Sequence, residues 1–433
     1  MLASRGIEPF LLAVGCVSVL ACGEPGVVPD GGADAGPPPM CDEPTPFETG
    51  DADGHAEPLA AAAGQARAGR IEEAELPADR TGLAVWSAGD FVLANERIAV
   101  LIEDAGPSDL YDPYGGRIVG VASREDDTLV AADFNEILFG LGAFLVATER
   151  VTVISDGSDG GAAVVRATGP LARIDFTGDL LTSIVPGDFE GWPAAIDYRL
   201  EPGADRVTVT LRAIETGARN TRVPMILQAF FQGSRMPMWN PVGGFSALSE
   251  ATPYIAFDDP TGGAAYAWEA PEGRPLRQVI DQSGVLVTQI GPLPVMPCET
   301  LEVPIGSLVV ARTFDATQAI ARTAAGESLR TITGTVLEAD GSPATDVRVH
   351  VTSGEAHLTR ARADASGAAT IQIPDADVEV WGYRGGTAMV GPIAMPRGTG
   401  TFAITMPALG TIEVEAHDAA SGDVVPARVQ AFA

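Results

Sequence analysis

From about residue 81 the chain is a succession of short apolar runs broken by Gly, Pro, Asp and Asn, with almost no helical period. This constrains the fold more than anything else in the sequence, because side chains on a strand alternate between two faces while a helix repeats near 3.6 residues. Val207, Val209 and Leu211 alternate with Thr208, Thr210 and Arg212, the pattern of a strand with one buried face. Phe91-Val92-Leu93 and Ile98–Ile102 flank Ala94-Asn95-Glu96-Arg97 and read as a hairpin. Further strand-like runs are Phe144–Ile154, Ala162–Ala167, Ile196–Leu200, Val223–Phe231, Val285–Ile290 and Leu301–Ala311. Fifty Gly, 33 Pro and only 6% aromatic residues suit a turn-rich β protein. Strands at this spacing imply a sandwich or barrel, and residues 81–312 hold enough of them for one large two-sheet domain. The clearest helix covers Ala316–Ala325, with Asp315 as its cap and Gln318 at capping-box spacing. The expected fold class is therefore all-β, with one short helix.

The 433 residues carry 58 acids and 27 bases, for a net charge of −31. All the bases are Arg. Without Lys the chain has no phosphate-loop Lys, no Schiff-base Lys and no kinase-type ATP Lys. The acidic balance argues against nucleic acid, whose phosphates require a basic surface.

Residues 1–22 read as a secretory signal, with Arg5 in the n-region and an apolar run from Phe10 to Ala21 that is shorter than a membrane span. The run ends Ser18-Val19-Leu20-Ala21-Cys22, which resembles a bacterial lipobox with Cys22 as the lipidated residue. An ordinary signal cleaved near the same place is the alternative. Residues 23–58 contain nine acids, eight Pro, seven Gly and no Arg. Such a stretch reads as a disordered acidic tether with a root-mean-square reach of roughly 30–36 Å. Asp51-Ala52-Asp53-Gly54 hints at a calcium loop but lacks the remaining ligands. These features imply export to the cell envelope and a lipid anchor in the outer membrane. If Cys22 is acylated and Cys16 leaves with the signal, Cys41 and Cys298 remain, as a disulfide or as two free thiols.

Several segments resemble the galactose-mutarotase-like supersandwich: Gly89–Ile98 its opening hairpin, Tyr114-Gly115-Gly116-Arg117-Ile118 its Gly-Gly strand, and Ile196–Gly203 the lead into the strand at 206–214. The resemblance implies a carbohydrate-associated fold over 59–325. The next unit, 326–407, resembles a carboxypeptidase regulatory-like, transthyretin-type sandwich. Its marks are Thr331–Val336, the Asp340-Gly341 turn, Pro343 opening a strand, Val347–Val351, and a hairpin turned by Asp364 and Gly367. It departs from that pattern at Ala368-Ala369, where an aromatic core residue is usual. Residues 408–433 begin a further, partial β unit. In this order the segments resemble the N-terminal region of bacterial PHP-type (CehA/McbA-like) metallohydrolase lipoproteins, in which a metal-binding catalytic barrel would follow.

The residues themselves supply little chemistry. The four His are His55, His350, His357 and His417, and none falls in the supersandwich, where a mutarotase would need a base. His350 and His357 face each other across a hairpin without a third ligand in sequence, so no metal and no cofactor is expected. No Gly-x-Ser-x-Gly is present. Gly140-Leu141-Gly142 lacks the third Gly of a dinucleotide fingerprint. Two acid clusters lie beside aromatics or amides, Asp133/Glu136 and Glu190 with Trp192, and could hold a saccharide or simply solvate turns. Arg235, Trp239 and Asn240 form a Pro-bounded segment read as a loop that could bind a glycan, unless Trp239 packs on the sheet. Three functions follow: a non-catalytic surface lipoprotein contacting polysaccharide or envelope protein, an accessory or truncated part of a metallohydrolase, and a glycoside-acting supersandwich.

Overall fold

A computed structural model describes residues 41, 45 and 47–426, except 77–85, 126–127, 175–186, 217–220, 233–236, 260–261, 283 and 410–413. The signal, Cys22, the first part of the tether and Arg235 lie outside the described residues. The chain is all-β, 51% strand and 5% helix.

Eighteen strands between Ala66 and Ala311 form one continuous hydrogen-bonded sheet folded into two antiparallel layers. One layer includes Arg150–Ser155, Pro193–Leu200, Arg206–Ile214, Thr300–Ala311 and Ala265–Glu269. The other includes Ala66–Arg70, Phe91–Asn95, Ile98–Ile102, Ile118–Glu125, Phe134–Leu141 and Ile226–Gln232. The run read as a single strand over 144–154 is two, Phe144–Val146 and Arg150–Ser155, one in each layer. Both pair with the long strand Ala163–Arg173, which passes from one layer to the other. The alternation read at 207–211 holds, with Val207, Val209 and Leu211 buried. The hairpin strands Phe91–Asn95 and Ile98–Ile102 are instead buried on both faces. Their inner face joins the main core, and Val92, Ala94, Ala99 and Leu101 pack outside it against Ile71 and Trp86.

The end of the presumed tether belongs to the folded domain. Asp51 exchanges backbone hydrogen bonds with Val153, and His55 N–H donates to Ala68 O at 2.8 Å. In place of a calcium loop, Asp51 Oδ1 accepts the amides of Asp53 and Gly54 at 2.8 and 2.7 Å. Those bonds hold its carboxyl below the usual range. Cys41 and Cys298 are joined as a disulfide.

The helix is Phe314–Ala324, with Thr313 at the N-cap position. Asp315, expected there, is the second residue of the helix, buried, where it accepts the Gln372 amide at 3.3 Å. With Thr313 at the N-cap the third helical position is Ala316, so Gln318, buried two positions further on, is out of capping-box spacing. Beyond the helix a second sandwich packs a three-stranded sheet (Leu329–Leu337, Ala368–Pro374, Thr401–Thr405) on a four-stranded one (Arg348–Ser353, Ala356–Arg362, Val378–Tyr383, Val390–Met395). Asp340 and Asp364 cap their turns as expected. Pro343 makes only a bridge to Leu337, and the strand begins at Arg348. The aromatic missing at 368–369 comes from a neighbouring strand. Phe402 lies in register with Gly334, itself paired with Ala369, and a Cβ on Gly334 would sit 2.3 Å from that ring.

Candidate functional site

The nominated residues other than Arg235, which lies outside the described residues, are engaged in internal contacts scattered over the large domain. Trp239 is fully buried. Its Nε1–H donates to His357 O at 3.2 Å, its ring centroid is 5.8 Å from that of Tyr254, and the Arg322 guanidinium stands over it at 5.6 Å. It therefore fastens the two sandwiches together and is not a glycan platform. Asn240 is a turn-former. Its Oδ1 accepts Val242 and Gly243 amides at 3.1 and 2.7 Å, and its Nδ2 donates to Ser246 O at 2.8 Å. Trp192 packs edge-on against Phe189 in the core, while exposed Glu190 pairs with Arg173 at 3.3 Å. Buried Asp133 donates its backbone N–H to Asp259 at 3.2 Å.

Glu136 is the most engaged of the acids. It is fully buried, ion-paired to Arg117 and accepts the Tyr111 amide at 2.7 Å. Two glycines bring Arg117 there. Gly115 and Gly116 both lie at positive φ, 74° and 75°, so the Gly-Gly pair is a turn preceding the strand that starts at Ile118. Arg117 also reaches Glu103 at 2.9 Å and Asp112 at 4.0 Å. Burial raises the Asp112 carboxyl to about 6, and burial likewise raises Glu103. Perturbed carboxyls can mark catalysis. Here they surround an arginine of which 1% is exposed, and the cluster pins the 103–117 loop to the sheet.

An open cleft of about 670 Å³ lies elsewhere, where the large domain, the helix and the second sandwich meet. Its polar wall comes from strand ends and turns of the large domain: Arg97 in the turn of the first hairpin, Arg124 and Glu125 ending Ile118–Glu125, Asp205 and Arg206 at the start of Arg206–Ile214, and Arg312 leaving Thr300–Ala311. Ala316, Ala319, Ile320, Thr323 and Ala324 form the opposite wall. Their spacing is that of one helix face, and the other face buries Phe314 and Ala321 against Trp239. Exposed Gln372 of the second sandwich closes one side.

Each guanidinium of the cleft is oriented. Arg97 grips both oxygens of Asp205 at 2.9 and 3.0 Å. Arg124 donates to Ala61 O and Asn95 O, both at 3.1 Å. Arg312 donates to Gly262 O at 2.8 Å and stands 3.5 Å from Glu125. Arg206 pairs with Glu269 behind the wall. Ser123 also lines the cleft, and its buried hydroxyl has no hydrogen-bond partner among the described residues. Sequence reasoning missed this site because its arginines are spread from 97 to 312 with no motif joining them.

A metal centre has one candidate among the described residues. Cys41, Glu215 and Cys298 place ligand atoms within 4.8 Å of one another, but the two sulfurs are bonded to each other.

No protein-family model matches the chain, and no curated protein matches it. Solved structures similar to it include a TPR-domain containing protein from Parabacteroides distasonis (TM-score 0.35, 11% identity, 57% of this chain and 54% of that one). Another is the Slr1438 protein from Synechocystis (TM-score 0.33, 9% identity, 54% and 99%). A third is the α-galactosidase from Lactobacillus brevis (TM-score 0.32, 9% identity, 58% and 44%). The chain spans about half the length of the first of these.

Proposed function

We propose that this is an exported, lipid-anchored bacterial surface protein whose β-sandwiches bind or scaffold polysaccharide or envelope protein, with no catalytic site of its own in this chain. One observation carries the non-catalytic part. The acids best placed by sequence to act as acid or base take internal partners, Glu136 with Arg117 and Glu190 with Arg173, and the two acids of the open cleft, Asp205 and Glu125, are paired with Arg97 and Arg312. The Cys41–Cys298 bond supports an oxidising compartment, in keeping with the Leu20-Ala21-Cys22 lipobox-like segment. Metabolic labelling with palmitate tests the anchor: label is expected on the wild type and absent from Cys22→Ser, and label persisting on the variant sinks the assignment. A glycan panel tests the rest. Binding without turnover, unchanged in Asp133→Ala and Glu190→Ala, is the expected result, and turnover lost in either variant would overturn it.

A further inference from the structure

Resting on the binding reading above, we infer that the arginine-lined cleft is a site for a carboxylated sugar, a uronate residue or a short oligouronate. Three observations converge on it. First, the cleft concentrates four of the 27 arginines against two acids in a chain of net charge −31, so its lining is locally cationic. Guanidinium is the side chain whose planar donor fork matches a carboxylate, and backbone carbonyls or carboxylates already orient all four, so little rotamer freedom remains to be lost on binding. Second, Ser123 holds a buried hydroxyl without a partner in the same lining, a polar group that a ligand oxygen would satisfy. Third, Glu125 and Asp205 stand among the arginines. Acids there repel the second charge of a phosphate, yet they accept hydroxyl protons, so the mixture suits a ligand carrying both a carboxylate and hydroxyls.

Size and field narrow the ligand further. A volume of about 670 Å³ is that of a small-molecule pocket and accommodates one or two sugar rings. The acidic exterior repels those parts of a long polyanion that run within about a Debye length of it, ~8 Å at physiological salt, so a short ligand or a chain end is favoured over an extended polymer. The helix wall of Ala316, Ala319 and Ala324 offers a smooth face along which a sugar ring can lie.

The test is calorimetric titration of the full chain with mono- to tetragalacturonate and with the matching neutral galactose oligomers. Acidic sugars are expected to bind at least about tenfold more tightly than neutral ones, and less tightly as salt rises. Arg312→Gln is expected to weaken them about tenfold. Ala324→Glu, a surface change on the helix wall that leaves the core untouched, is expected to do the same by charge alone. Arg222→Gln, exposed and outside the cleft, is expected to have no effect. Neutral sugars binding equally well, with both cleft variants silent, would overturn the inference while leaving the broader binding function standing. Displacement of the sugar by equimolar inorganic phosphate would overturn it in favour of a phosphate site. Absence of any acidic-sugar binding would overturn it outright, and the glycan panel and palmitate labelling judge the broader reading separately.

Discussion

At the scale of single residues, burial decides which polar groups are structural. Arg117 and Glu136 are among the least exposed side chains of the large domain, and two other carboxylates lie within 4.0 Å of that guanidinium. A buried ion pair adds little net stability over an apolar pair, yet removing one partner leaves the other charge uncompensated in a low dielectric. Glu136→Gln is therefore expected to cost about 3 kcal/mol, read from urea denaturation at neutral pH. A loss below about 0.5 kcal/mol would show that Glu103 and Asp112 alone can hold the arginine. Sequence could nominate Glu136, because it clusters with Asp133 beside the Phe134 ring and the Asn135 amide. It could not show that Arg117 lies against it, since that contact depends on two left-handed glycines and a chain reversal. Trp239 shows the same limit: its Pro-bounded segment reads as a loop, and only the packed helix and second sandwich make it core.

At the scale of elements, the hairpin from Arg348 to Arg362 carries the clearest pH response. His350 Nδ1 and His357 Nε2 lie 2.9 Å apart, as the strand pattern led one to expect. Burial, then the charges of His357, Arg360 and Arg348, holds His350 down to about 3; burial and Arg360 hold His357 to about 4. Both folded values lie below the ordinary unfolded value of about 6.5. The unfolded chain thus takes up protons that the folded one refuses, and stability falls as pH drops from about 6.5 toward 4. Asp90 and Asp112, raised by burial to about 6, act with the opposite sign: the folded state holds protons between about 4 and 6, so their contribution falls as pH rises through 6. Comparing wild type with His350→Gln isolates the ring. The variant's stability relative to wild type is expected to rise by about 1 kcal/mol between pH 7.5 and pH 5, and a pH-independent difference would refute the buried neutral pair.

At the scale of the whole molecule, one covalent link ties the start of the described chain to the far end of the large domain. The Cys41–Cys298 bond spans 257 residues of sequence, and in the chain-entropy view a loop that long restricts the unfolded state by about 5 kcal/mol. Cys41→Ser is expected to lower stability by about 2–5 kcal/mol, with a matching drop on adding reductant to the wild type. Modification of Cys41 and Cys298 by a thiol reagent in the native protein without reductant, read by peptide mapping, would dispose of the bond. From its own sequence the chain determined its all-β class, the one helix and most strand positions, because alternation and turn residues are local properties of neighbouring side chains. It also determined the absence of lysine chemistry. Tertiary structure alone decided that the last stretch of the acidic segment folds back as bridges to Val153 and Gly69, that Phe402 fills the gap beside Ala369, and that four arginines from separate strand ends and turns meet in one cleft. Each of these joins residues far apart in the chain, and no periodicity or spacing encodes a contact whose partners meet only when two layers, a helix and a second sandwich close on one another.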